Sequence, residues 1–241
     1  MAGINTLVFD VNETLLDLAA LDDHFERVFG SDAPRREWFG LVLRNSLTLT
    51  VLDEYRDFAT VATASLTMVA DTHGVSLGAA DGAAVVTAMA NLPPHPDVPA
   101  ALARLRSAGF QLAALTNSPP EVAAAQLRNA GLAPLFKEIL SVHQAGRLKP
   151  HPAGYEHAAR ALGIALSKMM LVAAHDWDVA GAMKVGMTGA LVTRPGVANN
   201  PLFPAPTLVA PDMTAMATAS KCGKGRGRSG SREPRPSDTY R

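Results

Sequence analysis

Four short stretches of this chain bring together side chains that could attack, hold charge and move protons. Phe9-Asp10-Val11-Asn12-Glu13-Thr14-Leu15-Leu16-Asp17 places an acid at the end of an apolar run and a hydroxyl four residues later. Leu115-Thr116-Asn117-Ser118 closes a second apolar run with hydroxyls and an amide, and Lys149-Pro150 follows a loop. The fourth stretch, Ala173-Ala174-His175-Asp176-Trp177-Asp178, adds an imidazole and further acids after another apolar run. Taken alone, Asp10 could do no more than cap a turn, where aspartate is common. One sheet edge carrying an acid, a hydroxyl, an amide, a lysine and a second acid is instead the constellation of an active site.

The elements that must position these groups are legible in the hydrophobic pattern. Residues 4–9 form a short run rich in β-formers that ends on Asp10, as expected of a buried parallel strand delivering a carboxylate at its C-terminal end. Similar runs recur at 111–115, 139–142, 169–173 and 190–193. Between them Val98, Ala101, Leu102 and Leu105 keep a helical period, as do Val122, Gln126, Leu127 and Ala130, with Gly109 and Gly131 as stops. Alternating strands and helices predict an α/β fold with a doubly wound, parallel-sheet (Rossmann-like) core.

Residues 17–92 break that rhythm, with amphipathic stretches such as Phe58, Val61, Ala62, Leu66 and Val69 and no convincing strand. They are expected to form an inserted helical cap domain, returning through Asn91-Leu92-Pro93-Pro94-His95-Pro96, whose prolines cannot continue a helix. The core domain would then comprise 1–16 and 93–220, with the cap lying over the strand ends where open α/β sheets bind ligands. From Lys221 to the end, seven Lys and Arg stand against two acids, a net of +5, among Gly, Ser and Pro. Such a segment buries too little apolar surface to order itself, so 221–241 reads as a disordered basic tail. It lacks the interleaved aromatics of a nucleic-acid binder, so no nucleic-acid partner is expected.

The bulk composition bounds the class. The chain has 241 residues, 48% hydrophobic and 18% charged, with a formal net charge of zero. No apolar run approaches the roughly 18 residues of a membrane helix, and the start has no basic segment leading into an apolar one, so no membrane partner and a cytoplasmic location are expected. The single cysteine, Cys222, excludes an internal disulfide and a cysteine-based metal site.

The ordered set Asp10/Thr14, Thr116-Asn117, Lys149-Pro150 and Asp178 resembles the four motifs of the haloacid dehalogenase superfamily, over about residues 4–217. Metal-dependent phosphatases of that superfamily carry a second Asp two positions after the nucleophile and usually another acid ahead of the last one. Here those places hold Asn12 and Ala174. The departures match the L-2-haloacid dehalogenase branch, whose nucleophile works without metal or organic cofactor. Leu43-Arg44-Asn45 is similar to that branch's halide-binding arginine segment, and Lys149-Pro150-His151-Pro152 with Tyr155 to its lysine-to-tyrosine segment.

The resemblance implies that Asp10 attacks the halogen-bearing carbon of a small haloacid, forming an enzyme ester that water hydrolyses. Lys149 would keep Asp10 ionised, Thr14 and Thr116 would position carboxylates, and Arg44 and Asn117 would meet the departing halide. Tyr155 could line the pocket or pack as a helix residue, and Trp38 and Phe39 could wall the substrate or fill the cap's core. For the ester's water the candidate proton acceptors are Asp178 and His175, although a loop histidine can equally serve a backbone carbonyl. The competing expectation is a metal-dependent phosphatase of the same superfamily. The resemblance also leaves room for a homodimer.

Overall fold

A computed structural model of the chain describes residues 3–225. Six parallel strands form one sheet: β1 (Thr6–Phe9), β2 (Gln111–Thr116), β3 (Glu138–Ser141), β4 (Met169–Ala173), β5 (Thr188–Val192) and β6 (Leu208–Ala210), in the order β3-β2-β1-β4-β5-β6. Every residue of β1 and β4 is buried, which explains why these strands read as unbroken apolar runs rather than alternating ones. The strand order reverses at β1, between β2 and β4, where a doubly wound sheet opens its crevice.

Register brings the chemistry to that crevice. Phe9 is level with Ala114 on one side and Val172 on the other, so Asp10 leaves the sheet beside the segments beginning at Leu115 and Ala173. The Asp10 N–H donates to the Val172 carbonyl at 3.1 Å and holds that level one residue past the strand. Helices α5 (Val98–Ser107) and α6 (Pro120–Asn129) are followed by Gly109 and Gly131 at φ 78° and 70°, the left-handed stops expected from the sequence. The three-residue edge strand β6 lies between Pro206 and Pro211 and is too short to display a period.

Between β1 and α5 the chain makes α1 (Asp22–Phe29), α2 (Ala33–Val51), α3 (Phe58–Thr72) and α4 (Ala79–Met89), and no named strand. Helix α2 packs along α3, where the Trp38 indole N–H donates to the Ala62 carbonyl at 2.9 Å. The two ends of this insertion run side by side: Asp17 N–H donates to the Pro93 carbonyl and His95 N–H to the Leu15 carbonyl, both at 2.9 Å. The insertion meets the sheet layer through Gln126, whose amide donates to the Met89 carbonyl at 2.8 Å, and through the Arg147–Asp53 ion pair at 2.6 Å.

Helices α7 (Pro152–Leu162), α8 (Asp176–Lys184) and α9 (Met213–Gly225) complete the layers. Helix α9 crosses residue 221, where the sequence suggested that order ends. Its buried Met213, Met216, Ala217 and Ser220 anchor it, and extending a nucleated helix costs less than starting one. The rest of the basic tail, 226–241, lies outside the described residues. No described helix is long and apolar enough to cross a membrane.

Gly181 in α8 has no room for a side chain, because an added Cβ would come within 2.6 Å of Pro150 Cβ, 2.7 Å of the Tyr155 hydroxyl and 3.0 Å of the Pro150 carbonyl oxygen. Gly181→Val is therefore expected to destabilise the fold by about 2–3 kcal/mol through overpacking, read by urea unfolding. An unchanged midpoint and slope would show that this contact can relax.

Candidate active site

Asp10 sits just past the end of β1 and is 5% exposed. Its two carboxylate oxygens face different donors: Oδ1 accepts from Lys149 Nζ at 2.8 Å, and Oδ2 from the Thr14 hydroxyl at 2.7 Å. The Thr14 hydroxyl itself accepts from the Ala174 N–H at 2.8 Å, so its only proton is directed at Asp10. Lys149, 1% exposed, also donates to the Leu115 carbonyl at 2.9 Å and to Asp178 Oδ2 at 2.6 Å. Asp178 receives the Tyr155 hydroxyl on Oδ1 at 2.6 Å. An ammonium thus stands between two buried carboxylates, and all four carboxylate oxygens have a donor.

Burial alone would push the Asp10 carboxyl up. The Lys149 charge, the His175 ring and the hydrogen bonds from Lys149 and Thr14 outweigh it and hold Asp10 below the usual carboxylate range. Lys149 is likewise driven down by burial but raised on balance by the charges of Asp10 and Asp178. Asp178 goes the other way. Burial and the neighbouring Asp10 charge raise it despite Lys149 and Tyr155. Burial and Asp178 push the Tyr155 hydroxyl well above its ordinary value, keeping it a proton donor.

On the other side of Asp10 stands His175, the residue that precedes α8. Its Nε2 lies 3.3 Å from the Asn12 carbonyl oxygen, 3.7 Å from Asp10 Oδ2 and 3.7 Å from Glu13 Oε2. The ring stacks on Trp177 with centroids 5.2 Å apart and leans against Phe39 of α2 at 6.1 Å. Glu13 has φ 60°, a left-handed conformation uncommon outside glycine and costing on the order of 1–3 kcal/mol. It lines a cavity of about 490 Å³ together with Arg35, Arg36, His95 and Arg194. His175 lines an adjoining cavity of about 420 Å³, and Gly196 and Val197 border both.

The structure therefore gathers Asp10, Thr14, Lys149, Tyr155, His175 and Asp178. Thr116 and Asn117 reach the same edge, but in supporting contacts: the Thr116 hydroxyl accepts from Ser118 N–H at 3.1 Å, and Asn117 Oδ1 accepts from Lys149 N–H at 2.9 Å. Tyr155 is fully buried behind Asp178 rather than on a pocket wall. Arg44 departs from its expected place. The buried face of α2 runs through Arg35, Trp38, Phe39, Val42 and Ser46, and Arg44, two residues from Val42, is turned about 200° away and exposed. Trp38 fills the helical insertion's own core, while Phe39 reaches the site.

Three participants carry no strong signal in the sequence. Asn12 is held by Ser118 and Gln126, donating to the Ser118 hydroxyl at 3.4 Å and accepting from the Gln126 amide at 3.0 Å. Arg194 donates to the Thr14 carbonyl at 3.0 Å and pairs with Asp97 at 2.8 Å, bracing the nucleophile's loop from 180 residues away. Glu13 stands beside Asp10 in the chain, but only its backbone conformation aims it at His175.

With this geometry in view, comparison with known proteins gives a consistent picture. Residues 4–186 match the model of a family described as haloacid dehalogenase-like hydrolase. A haloacetate dehalogenase from Moraxella sp. (strain B) is 28% identical over 219 residues, covering 90% of this chain and 97% of that protein. An (S)-2-haloacid dehalogenase from Xanthobacter autotrophicus is 30% identical over 193 residues, covering 79% of this chain and 76% of its own length. The structure of L-2-haloacid dehalogenase from Xanthobacter autotrophicus with chloropropionic acid covalently bound superimposes with a TM-score of 0.85 at 26% identity, covering 90% of this chain and 98% of that one. Since the matched span runs from β1 through the whole of α8 and so includes Asp10, Lys149 and Asp178, the chain belongs to the haloacid dehalogenase-like hydrolase family.

Proposed function

We propose that this chain is a hydrolytic dehalogenase of small 2-haloalkanoic acids, haloacetates and L-2-haloacids, giving 2-hydroxy acids through an ester on Asp10. The observation that carries the reading is the Lys149 ammonium, hydrogen-bonded to both Asp10 and Asp178. It keeps Asp10 ionised in a buried site, as a carboxylate nucleophile requires. An oxygen of Asp10 attacks the halogen-bearing carbon from the side opposite the halogen, the carbon–halogen bond breaks, and the carbon inverts. Thr14 orients the carboxylate. Asn117 has its oxygen on Lys149 N–H, and its amide nitrogen makes no hydrogen bond among the described residues, which leaves it free to donate to the halide. The helices of residues 17–92 act as a cap domain whose Phe39 closes the His175 side against bulk water. The substrate partner is a small haloacid, and the setting is cytoplasmic.

A metal-dependent phosphatase would place its cation among free oxygen donors around the nucleophile. Here Asn12 and Ala174 supply no carboxylate, and the Lys149 cation already lies between Asp10 and Asp178. The donor set does not fit such a metal.

Three measurements test this reading. Wild type is expected to release halide from chloroacetate, bromoacetate and L-2-chloropropionate with EDTA present, and Asp10→Asn to lose on the order of 10⁴–10⁶-fold in rate. Phosphate release from a generic aryl phosphate, dependent on magnesium, would instead favour the phosphatase. Lys149→Met removes the charge that holds Asp10 below its usual range. The acid limb of the displacement step should then move upward by about 1–3 pH units, and stability should drop by about 3–5 kcal/mol because buried carboxylates lose their cation. Arg44→Ala, at an exposed position, is expected to change halide release by no more than about twofold. A loss of a hundredfold or more there would return Arg44 to the site.

A further inference from the structure

The ester on Asp10 must be hydrolysed, and water cannot attack without a group to take its proton. Asp178 is poorly placed for this. It is fully buried, with Oδ2 on Lys149 and Oδ1 on Tyr155. Asp176 is engaged as well, accepting from the Asn200 amide at 2.6 Å. His175 Nε2 is surrounded by acceptors alone, the Asn12 carbonyl at 3.3 Å and the Asp10 and Glu13 carboxylates at 3.7 Å each. A ring nitrogen in such surroundings carries a hydrogen, so the nitrogen that faces Asp10 donates and cannot itself take a proton from water there.

Glu13 is left. Its carboxylate accepts no hydrogen bond among the described residues, and it borders the cavity of about 490 Å³. His175 Nε2, 3.7 Å from both Asp10 Oδ2 and Glu13 Oε2, links the nucleophile to Glu13, which borders the cavity. The backbone at φ 60° turns Glu13 to this position, and a left-handed glutamate three residues after a nucleophile is the kind of strain found at working sites.

We propose that Glu13 is the general base that activates water for hydrolysis of the Asp10 ester, with His175 as the positioning residue between them; this rests on the dehalogenase reading above. The water oxygen bonds to Asp10 Cγ and one of its protons passes to the Glu13 carboxylate. When the tetrahedral centre collapses, the bond from Cγ to the ester oxygen breaks. That oxygen leaves with the product and takes the proton back from Glu13 as the hydroxyl of the 2-hydroxy acid. The second water proton is lost to solvent, and Asp10 returns as a carboxylate holding one solvent oxygen. Burial raises the Glu13 carboxyl on balance, which suits a base. The titratable and charged groups facing it are His175 just before α8, Arg35 from α2, Asp10 and Asp17 from its own loop, and Arg36, His95 and Arg194 around the cavity.

Rapid quench with L-2-chloropropionate, followed by mass spectrometry of the Asp10 peptide, separates alkylation from hydrolysis. Glu13→Gln is expected to alkylate within about threefold of wild type while ester hydrolysis falls roughly 10²–10⁴-fold, so that alkylated enzyme accumulates. The acid limb of wild-type hydrolysis should vanish in Glu13→Gln and return in Glu13→Asp. His175→Asn, which keeps an N–H donor, should retain hydrolysis within about tenfold. Alkylation in the same samples reports that each variant is folded. Ester accumulating in His175→Asn or Asp178→Asn but not in Glu13→Gln, or an unaltered acid limb in Glu13→Gln, would overturn the assignment. A wild type that never forms the ester would instead sink the dehalogenase reading, and this inference with it.

Discussion

The site depends on one ammonium group. Lys149 Nζ has three protons and the structure uses all three, on Asp10, on the Leu115 carbonyl and on Asp178. Those acceptors come from the residue after β1, from the end of β2 and from the first turn of α8 after β4, so a single cation ties together the crevice of the sheet while neutralising charge within it. Burying an ion is costly unless its hydrogen bonds are complete, and here they are. The carboxylates are correspondingly unequal. Lys149 lowers both, and His175 adds to the lowering at Asp10, which falls below its ordinary range, whereas burial and the charge of Asp10 outweigh Lys149 at Asp178 and raise it. Unequal surroundings beyond the shared lysine thus separate a reactive acid from a supporting one.

The fold earns this arrangement through register rather than through any special local structure. Asp10 and His175 follow adjacent parallel strands whose last paired residues, Phe9 and Val172, are level. A parallel sheet emits all its strand ends on one side, so residues more than a hundred positions apart meet without long loops. That is why so much was legible beforehand. Asp10, Thr14, Lys149 and Asp178 lie directly after apolar runs or a loop that the sequence marks, and the alternation of runs with helical periods is enough to orient them. The short edge strand β6 and the extension of α9 past residue 221 escaped because neither is set by a local pattern. The first needs the β5 edge to pair with, and the second needs its buried methionines to anchor it.

Arg44 and Glu13 mark the limits of motif reading in opposite directions. For Arg44 the corrective signal was present: Trp38, Phe39 and Val42 already define an apolar helix face, and a residue two positions beyond Val42 cannot share it. Leu43-Arg44-Asn45 resembles the family segment in order, while the helical phase turns Arg44 to the exposed side. For Glu13 there was no signal, because left-handed backbone at a glutamate is decided by its surroundings. The Glu13 carbonyl accepts from His95 Nε2 at 3.0 Å, and Leu15 and Leu16 N–H both donate to the Val11 carbonyl, winding the loop tightly around this position.

These contacts place Glu13 at the junction between the sheet and the inserted helices. The insertion departs and returns through the Asp17–Pro93 and Leu15–His95 hydrogen bonds, and His95 spans both by reaching the Glu13 carbonyl with its ring. On the far side Arg194 grips the Thr14 carbonyl and Asp97, the latter immediately before α5. The loop from Asp10 to Thr14 is therefore clamped from the strand, from the insertion's returning chain and from the segment after β5. Asp10 consequently presents one oxygen to Lys149 in the sealed interior and the other to Thr14 and, 3.7 Å away, to the His175 ring that borders a cavity. A nucleophile needs the first environment to stay ionised and the second to meet a substrate and, later, water. The same five-residue loop supplies both, because its backbone is fixed at three points while the side chains of Asp10 and Glu13 face different surroundings.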